Sequence, residues 1–166
     1  MFQSFYRYIL VCSLILLTAC GLTMPTYQGN GFSIKYPSGW SVSTADQTKL
    51  VTISCANPTT YSVDGVIVVQ GEPLGNNDAV GVVAANEAAL RANNNNQNFQ
   101  TDKVTIAGQS TALWKYEQVS GSQKTSFRQA MVVIGGTIYT ITGTANQNVQ
   151  NIGDVETAVE SFSLNK

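Results

Sequence analysis

The stretch that decides the fold is Gly31–Trp40, GFSIKYPSGW. Phe32, Ile34 and Tyr36 recur at period two, with Ser33 and Lys35 between them, so the segment is a strand with one apolar face. Pro37 ends it, because proline has no N–H to give to a ladder. Ser38-Gly39 supplies a turn that can use positive φ. Trp40 then lands where it can fold back on the strand. With Phe32, Ile34 and Tyr36 it is expected to pack against the chain's last helix through Val155, Val159 and Phe162.

Working outward toward the C-terminus, Trp40–Thr44 and Leu50–Cys55 read as further strands, with a polar turn around Asp46-Gln47. Ala56–Ser62, holding Pro58, reads as a loop. Gly65–Gln70, GVIVVQ, is apolar on both faces, as a strand covered on both sides would be. Ala79–Ala92 reads as a helix capped by Asn77 or Asp78, with Val80, Val83 and Leu90 on one side and alanines that suit close approach to a sheet. Asn93–Asn96 stops it, as a solvated loop or, alternatively, a specific binding loop. Phe99–Ala107, Ala112–Glu117, Thr125–Ile134 and Thr137–Thr142 read as strands, with turns at Gly121-Ser122 and Gly135-Gly136. The last three form an antiparallel meander. Asn151–Phe162 closes the chain as a helix with Ile152, Val155, Val159 and Phe162 in one stripe. Strands, a helix, more strands and a helix make an α+β domain: a largely antiparallel sheet with helices on both faces.

Toward the N-terminus, Leu22–Asn30 reads as a tether. Residues 1–19 resemble an export signal, with Arg7 ahead of the apolar run Tyr8–Leu17. That run is shorter than the roughly 20 residues a spanning helix needs. Leu17-Thr18-Ala19-Cys20-Gly21 resembles the lipobox of bacterial lipoproteins. The resemblance implies diacylglycerol on the Cys20 sulfur, cleavage before Cys20 and acylation of the new amino terminus. At about 0.8 kcal/mol per buried methylene, two or more chains hold a protein on a membrane and one does not. The expected organisation is a signal peptide at 1–19, a lipidated tether at 20–30 and one domain at 31–166. The expected location is extracytoplasmic. Gly21 in place of an aspartate favours the outer membrane, on its periplasmic face, in an envelope that has two.

The composition narrows the chemistry. The chain has 166 residues, enough for one domain. Only 11% are charged, the net charge is −1, and no basic run occurs, so binding driven by nucleic-acid phosphates is not expected. Histidine is absent, which removes the commonest general base, the commonest metal ligand and any Ser-His-Asp triad. The chain has no P-loop, no G-x-S-x-G and no C-x-x-C. Cys12 leaves with the leader and Cys20 is alkylated, so Cys55 is the one thiol left and no intramolecular disulfide forms. Cys55 shares a strand face with Val51 and Ile53, which reads as a small core residue; the alternative is a reactive or metal-binding thiol. Asp154, Glu156 and Glu160 read as a solvated helix face rather than a cation site. Asp64 and Glu72 cannot be placed together from sequence.

Gly29–Trp40, GNGFSIKYPSGW, resembles the opening of the PsbP-like family, which includes the extrinsic PsbP proteins of photosystem II and DcrB-type bacterial lipoproteins. Val159–Leu164, VESFSL, is similar to the family's closing helix, and Arg128–Thr144 to its penultimate strands. The resemblance implies an α/β/α sandwich with a central antiparallel sheet. It also implies a non-catalytic accessory protein that docks on a larger complex. Without histidine or a basic patch, the metal-binding and photosystem roles of some members do not carry over. The expectation is a non-enzymatic envelope protein with no cofactor and no metal, held to the membrane at Cys20, that binds or helps assemble another envelope protein. The alternative is a ligand-binding or hydrolytic lipoprotein using carboxylates and hydroxyls.

Overall fold

A computed structural model describes residues 24–29, 31–43, 49–56, 63–146 and 152–165. The leader, Cys20, the Asp46-Gln47 turn and most of the Pro58 loop lie outside the described residues. The strands are β1 (Thr26–Gln28), β2 (Phe32–Lys35), β3 (Ser41–Ser43), β4 (Lys49–Ala56), β5 (Val63–Pro73), β6 (Asn96–Ile106), β7 (Gln109–Ser120), β8 (Gln123–Ile134), β9 (Thr137–Asn146) and β10 (Ser163–Leu164). The helices are α1 (Ala79–Ala92), between β5 and β6, and α2 (Ile152–Glu160), between β9 and β10.

Two sheets form. The large one runs β3-β4-β5-β9-β8-β7-β6, with every neighbouring pair antiparallel. The small one, β1-β2-β10, joins the two ends of the domain. Ser163 pairs with Ser33 and Leu164 with Phe32, and the Ser33 and Ser163 hydroxyls lie 2.8 Å apart. Thus Thr26–Gln28, read from sequence as tether, is a strand of the domain. Three residues are too few to show a period, and Tyr27 is held by the ring of Phe32, 5.8 Å away.

Strand alternation divides the apolar residues into two clusters. One holds Phe32, Ile34, Val51, Ile53, Ile67, Leu113, Ile141 and the α2 residues Val155, Ala158 and Val159, with Phe162. Phe162 stacks on Phe32 at 5.7 Å and meets Tyr139 at 5.3 Å. α2 comes this close because β9 has Gly143 beneath it, where a Cβ would run into Val155 and Val159. Trp40 is half-buried against the same cluster, with its ring over Gly65 of β5. Phe32 packs directly against Phe162 at the end of α2, and Trp40 joins the same cluster while also covering β5 at Gly65.

The second cluster holds Trp114, Tyr116, Met131 and Ile138, with Val82, Val83 and Leu90 of α1 packed at its side. α1 buries none of its residues completely, and Val80, expected on its apolar side, is 76% exposed. β5 follows suit: Ile67 and Val69 are buried, whereas Val66 and Val68 on the other face are only half-covered. The architecture is a mostly antiparallel sheet with two helices, one of them deeply seated. It stops short of the α/β/α sandwich expected, with helices on both faces: α2 buries Val155, Ala158 and Val159, whereas α1, rich in alanine, buries no residue completely.

The caps follow their sequence signals. Asp78 accepts the Gly81 N–H at 2.7 Å and starts α1. Asn96 Nδ2 donates to the Leu90 carbonyl at 2.7 Å, meeting one of the acceptors that a helix end leaves open. The asparagine run thus ends the helix through its own side chains and leads directly into β6.

Candidate functional site

Two polar constellations stand out, one beside each helix. The first anchors α2. Lys115 on β7 and Arg128 on β8 are cross-strand partners, and Glu156 of α2 reaches down between them. Lys115 Nζ lies 2.6 Å from Glu156 Oε1 and 2.7 Å from Asp102 Oδ2, and Arg128 Nε lies 2.9 Å from Glu156 Oε2. Burial alone would raise the Glu156 pKa, but hydrogen bonds from Lys115 and Arg128 outweigh it and hold the carboxyl below its usual range. Burial would likewise lower Lys115, and its bonds to Asp102 and Glu156 raise it instead. Every charge here has an opposite partner, so this group fastens a helix. The solvated face expected for Asp154, Glu156 and Glu160 is wrong for Glu156, whose partners were invisible in a linear reading.

The second constellation lies by α1. Phe99, Tyr116 and Phe127 stack across β6, β7 and β8, with ring centroids 5.7 and 4.8 Å apart and planes within 10° of parallel. Arg91 sits over Phe99 at 4.3 Å. Its Nε donates to Glu87 Oε1 at 2.9 Å, and Thr101 Oγ1 donates to the same oxygen at 3.0 Å. The Arg91 bond is the main reason the Glu87 carboxyl sits below its usual range. The Trp114 indole N–H is buried without a well-formed hydrogen bond, and its nearness to Glu87 adds to the lowering of that carboxyl. Tyr116 is buried, which pushes its phenol up to about 12, and its hydroxyl donates to Gln129 at 3.0 Å.

Beside these groups a groove of about 360 Å³ opens between the first turns of α1 and the ends of β7 and β8. Val80, Val83, Met131 and Val133 give it apolar walls; Glu87 and Ser110 are among its polar ones. The ladder between β7 and β8 begins only at Leu113↔Ala130. Gln109–Ala112 and Met131–Ile134 therefore each have an edge without a strand partner, bridged by Thr111 Oγ1 donating to the Met131 carbonyl at 2.6 Å. The sequence shows the apolar stripe of α1 but not this gap, which arises because two hairpin tips diverge.

The other sequence candidates scatter. Cys20 lies outside the described residues. Cys55 pairs with Gly65 beside a register shift and is half-buried, less enclosed than Val51 and Ile53. Asp64 is buried and accepts from Asn146 Nδ2 at 2.8 Å, while Glu72 is exposed near the far end of the same strand, roughly 26 Å along it. Among the described residues no three His, Cys, Asp or Glu gather as a metal site. No helix among them is long and apolar enough to cross a membrane.

A family model for PsbP-like proteins matches residues 20–164. The chain belongs to the PsbP-like family. The likeness also appears in solved structures. LpqN of Mycobacterium tuberculosis, described as involved in cell envelope biogenesis, aligns with a TM-score of 0.58 at 13% identity, over 84% of this chain and 87% of LpqN. The cyanobacterial PsbP of Synechocystis sp. PCC 6803 aligns with a TM-score of 0.54 at 15% identity, over 90% of this chain and 99% of its own. A Bacteroides thetaiotaomicron protein aligns with a TM-score of 0.54 at 16% identity; this chain covers 81% of itself but only 45% of that protein. At such identities the shared property is the fold. A comparison with curated proteins found no match. The PsbP-like domain thus extends N-terminal of Gly31, in agreement with β1.

Proposed function

We propose that this PsbP-like protein is a non-enzymatic accessory of a bacterial envelope, lipid-anchored through Cys20, that binds or helps assemble another envelope protein. The observation that carries the reading is a juxtaposition: the family match begins at residue 20, the cysteine within the lipobox-like Leu17–Gly21. One PsbP-like domain on a short lipidated stem stays within reach of the membrane surface, and two or more acyl chains make that attachment stable. The family and the envelope role stated for LpqN support the choice of setting. The resemblance of residues 1–19 to an export signal supports the extracytoplasmic side, and Gly21 favours the outer membrane where there is one.

The test has two arms. Mass spectrometry of the mature amino terminus should find an acylated Cys20, and Cys20→Ser should leave an uncleaved, unlipidated precursor. In-cell crosslinking of the wild type should then capture one envelope protein reproducibly, with much lower yield from Cys20→Ser. An amino terminus without acyl chains sinks the anchor. Turnover of a substrate by the purified protein, abolished by removing one carboxylate, sinks the non-enzymatic role.

A further inference from the structure

We propose that the end of the domain from which the chain runs back to Cys20 is a lipid-docking face: Tyr36 and Trp40 lie at the headgroup layer of the bilayer, and Lys35 meets lipid phosphates. This rests on the lipid anchor proposed above and deepens it by naming the surface that the domain turns to the membrane.

Reach comes first. From Cys20 to Pro25 is a step of five residues, which spans at most about 18 Å. The far end of that step is fixed to the domain. Met24 packs against the cluster under α2, the Pro25 carbonyl accepts the Tyr36 N–H at 2.9 Å, and Thr26 pairs with Lys35. An acylated Cys20 therefore keeps the end of β2 within that distance of the lipid headgroups. The matched residues 20–164 make a domain with a radius of gyration of about 15 Å, or roughly 38 Å across. The leash is about half that width. It holds the Lys35–Tyr36 end at the bilayer and keeps the opposite end, where Glu72 is exposed, from touching down.

The side chains at this end suit the contact. After Tyr36 the chain turns at Pro37–Gly39 and comes back at Trp40, whose ring lies over Gly65 near the start of β5. Val63, the first residue of that strand, is 58% exposed. Tyr36 and Trp40 are each half-buried, so each ring keeps a part open to solvent. Rings that join an apolar body to one polar group are enriched where a bilayer meets water. Lys35 is exposed and has no ion pair among the described residues. Such a cation is drawn to an anionic leaflet. Glu160 tempers this attraction: it precedes Ser161, whose Oγ accepts the Lys35 backbone N–H at 2.8 Å. The aromatic pair therefore carries most of the contact, and Lys35 gives it a preference for anionic lipid.

Tryptophan fluorescence of the mature, acylated chain in vesicles tests the proposal. The vesicles are of phosphatidylethanolamine and phosphatidylglycerol, with or without bromine on the acyl chains close to the headgroup, where it quenches only tryptophans near it. The chain has two tryptophans, and Trp114 is fully buried. Brominated lipid should quench part of the emission, and Trp40→Phe should abolish that part. A variant with a long glycine-serine segment inserted after Leu22 slackens the leash and keeps Trp40. Its quenching should persist, and should fall when Lys35→Glu is added. Quenching lost on lengthening the tether means that the leash alone brings Trp40 close, which overturns the docking face; so does quenching that survives Trp40→Phe. Lys35→Glu without effect overturns the phosphate contact. An amino terminus without acyl chains sinks the anchor and this proposal together, whereas an acylated chain whose emission brominated lipid leaves unchanged overturns this proposal alone.

Discussion

α2 sinks Val155, Ala158 and Val159 completely and is tied down by Glu156 between Lys115 and Arg128, whereas all of α1 stays at least partly in solvent. The sheet prepares each arrangement. Beneath α2 it removes a side chain altogether at Gly143; beside α1 it leaves the β7–β8 ladder short and a buried tryptophan N–H without a well-formed hydrogen bond. Dense packing makes one side intolerant of change. The looser side tolerates change better, since the less buried parts of a fold open most easily. The contrast places stability with α2 and adaptability with α1.

The largest expected effect lies at the end of α2. Phe162 is buried and closes on Phe32 and Tyr139. Phe162→Ala should cost about 3–5 kcal/mol, the usual range for a buried aromatic. From a total of about 5–15 kcal/mol, that leaves the domain marginal or unfolded at 37 °C. Urea denaturation of the variant measures it. A loss below 1 kcal/mol would erase the contrast, since α2 would then be as loosely held as α1.

An intermediate effect is expected at the ionic anchor. Glu156→Gln leaves Lys115 and Arg128 without their shared carboxylate, though Lys115 keeps Asp102. The three side chains of that anchor are 15–26% exposed, between a surface pair and a buried one, so a cost of about 1–3 kcal/mol is expected. The sign with pH follows from the lowered carboxyl. The folded state holds Glu156 ionised more strongly than the unfolded chain does, so the stabilisation is full above the ordinary carboxylate value of 4.5 and fades as pH falls through the depressed folded value. The melting curves of wild type and Glu156→Gln should therefore lie apart at pH 7 and converge in acid. A gap that stays constant down to pH 2 would show that the glutamine disturbs packing rather than charge.

Much of this was legible in the sequence, and the failures share a cause. The period of two in Phe32, Ile34 and Tyr36 announced β2, the Asp78 cap and the four-residue stripe announced both helices, and the glycine turns announced the hairpins, because each signal is local. β1 was missed since three residues carry no period. The partners of Glu156 were missed since Lys115 and Arg128 come from strands 41 and 28 positions away. Val80 shares the apolar spacing of α1 yet stands in solvent, because helical spacing gives a face but not how deep the helix sits. Trp40 joins the cluster under α2 as its place after the turn suggests, but its seat on Gly65 exists only once the strands have paired. The groove was invisible for the same reason: it is a property of where a ladder starts.

The smallest expected effect is also the sharpest probe of α1. Val80 stands at the mouth of the groove with three quarters of its surface in water. Valine and serine differ little in helix propensity, and neither makes a buried contact at such a site. Val80→Ser should therefore change stability by no more than about 0.5 kcal/mol, as exposed substitutions do. In a domain of this size that moves the thermal midpoint by a degree or two. Val83→Ser, one turn further on and half-buried against the second cluster, should cost more. If the two variants lose equal stability, each above 1 kcal/mol, α1 is seated in solution as firmly as its neighbours allow and the mouth is closed. If Val80→Ser is silent and Val83→Ser is not, α1 rests on the sheet by one edge, and the open edge is the way into the groove.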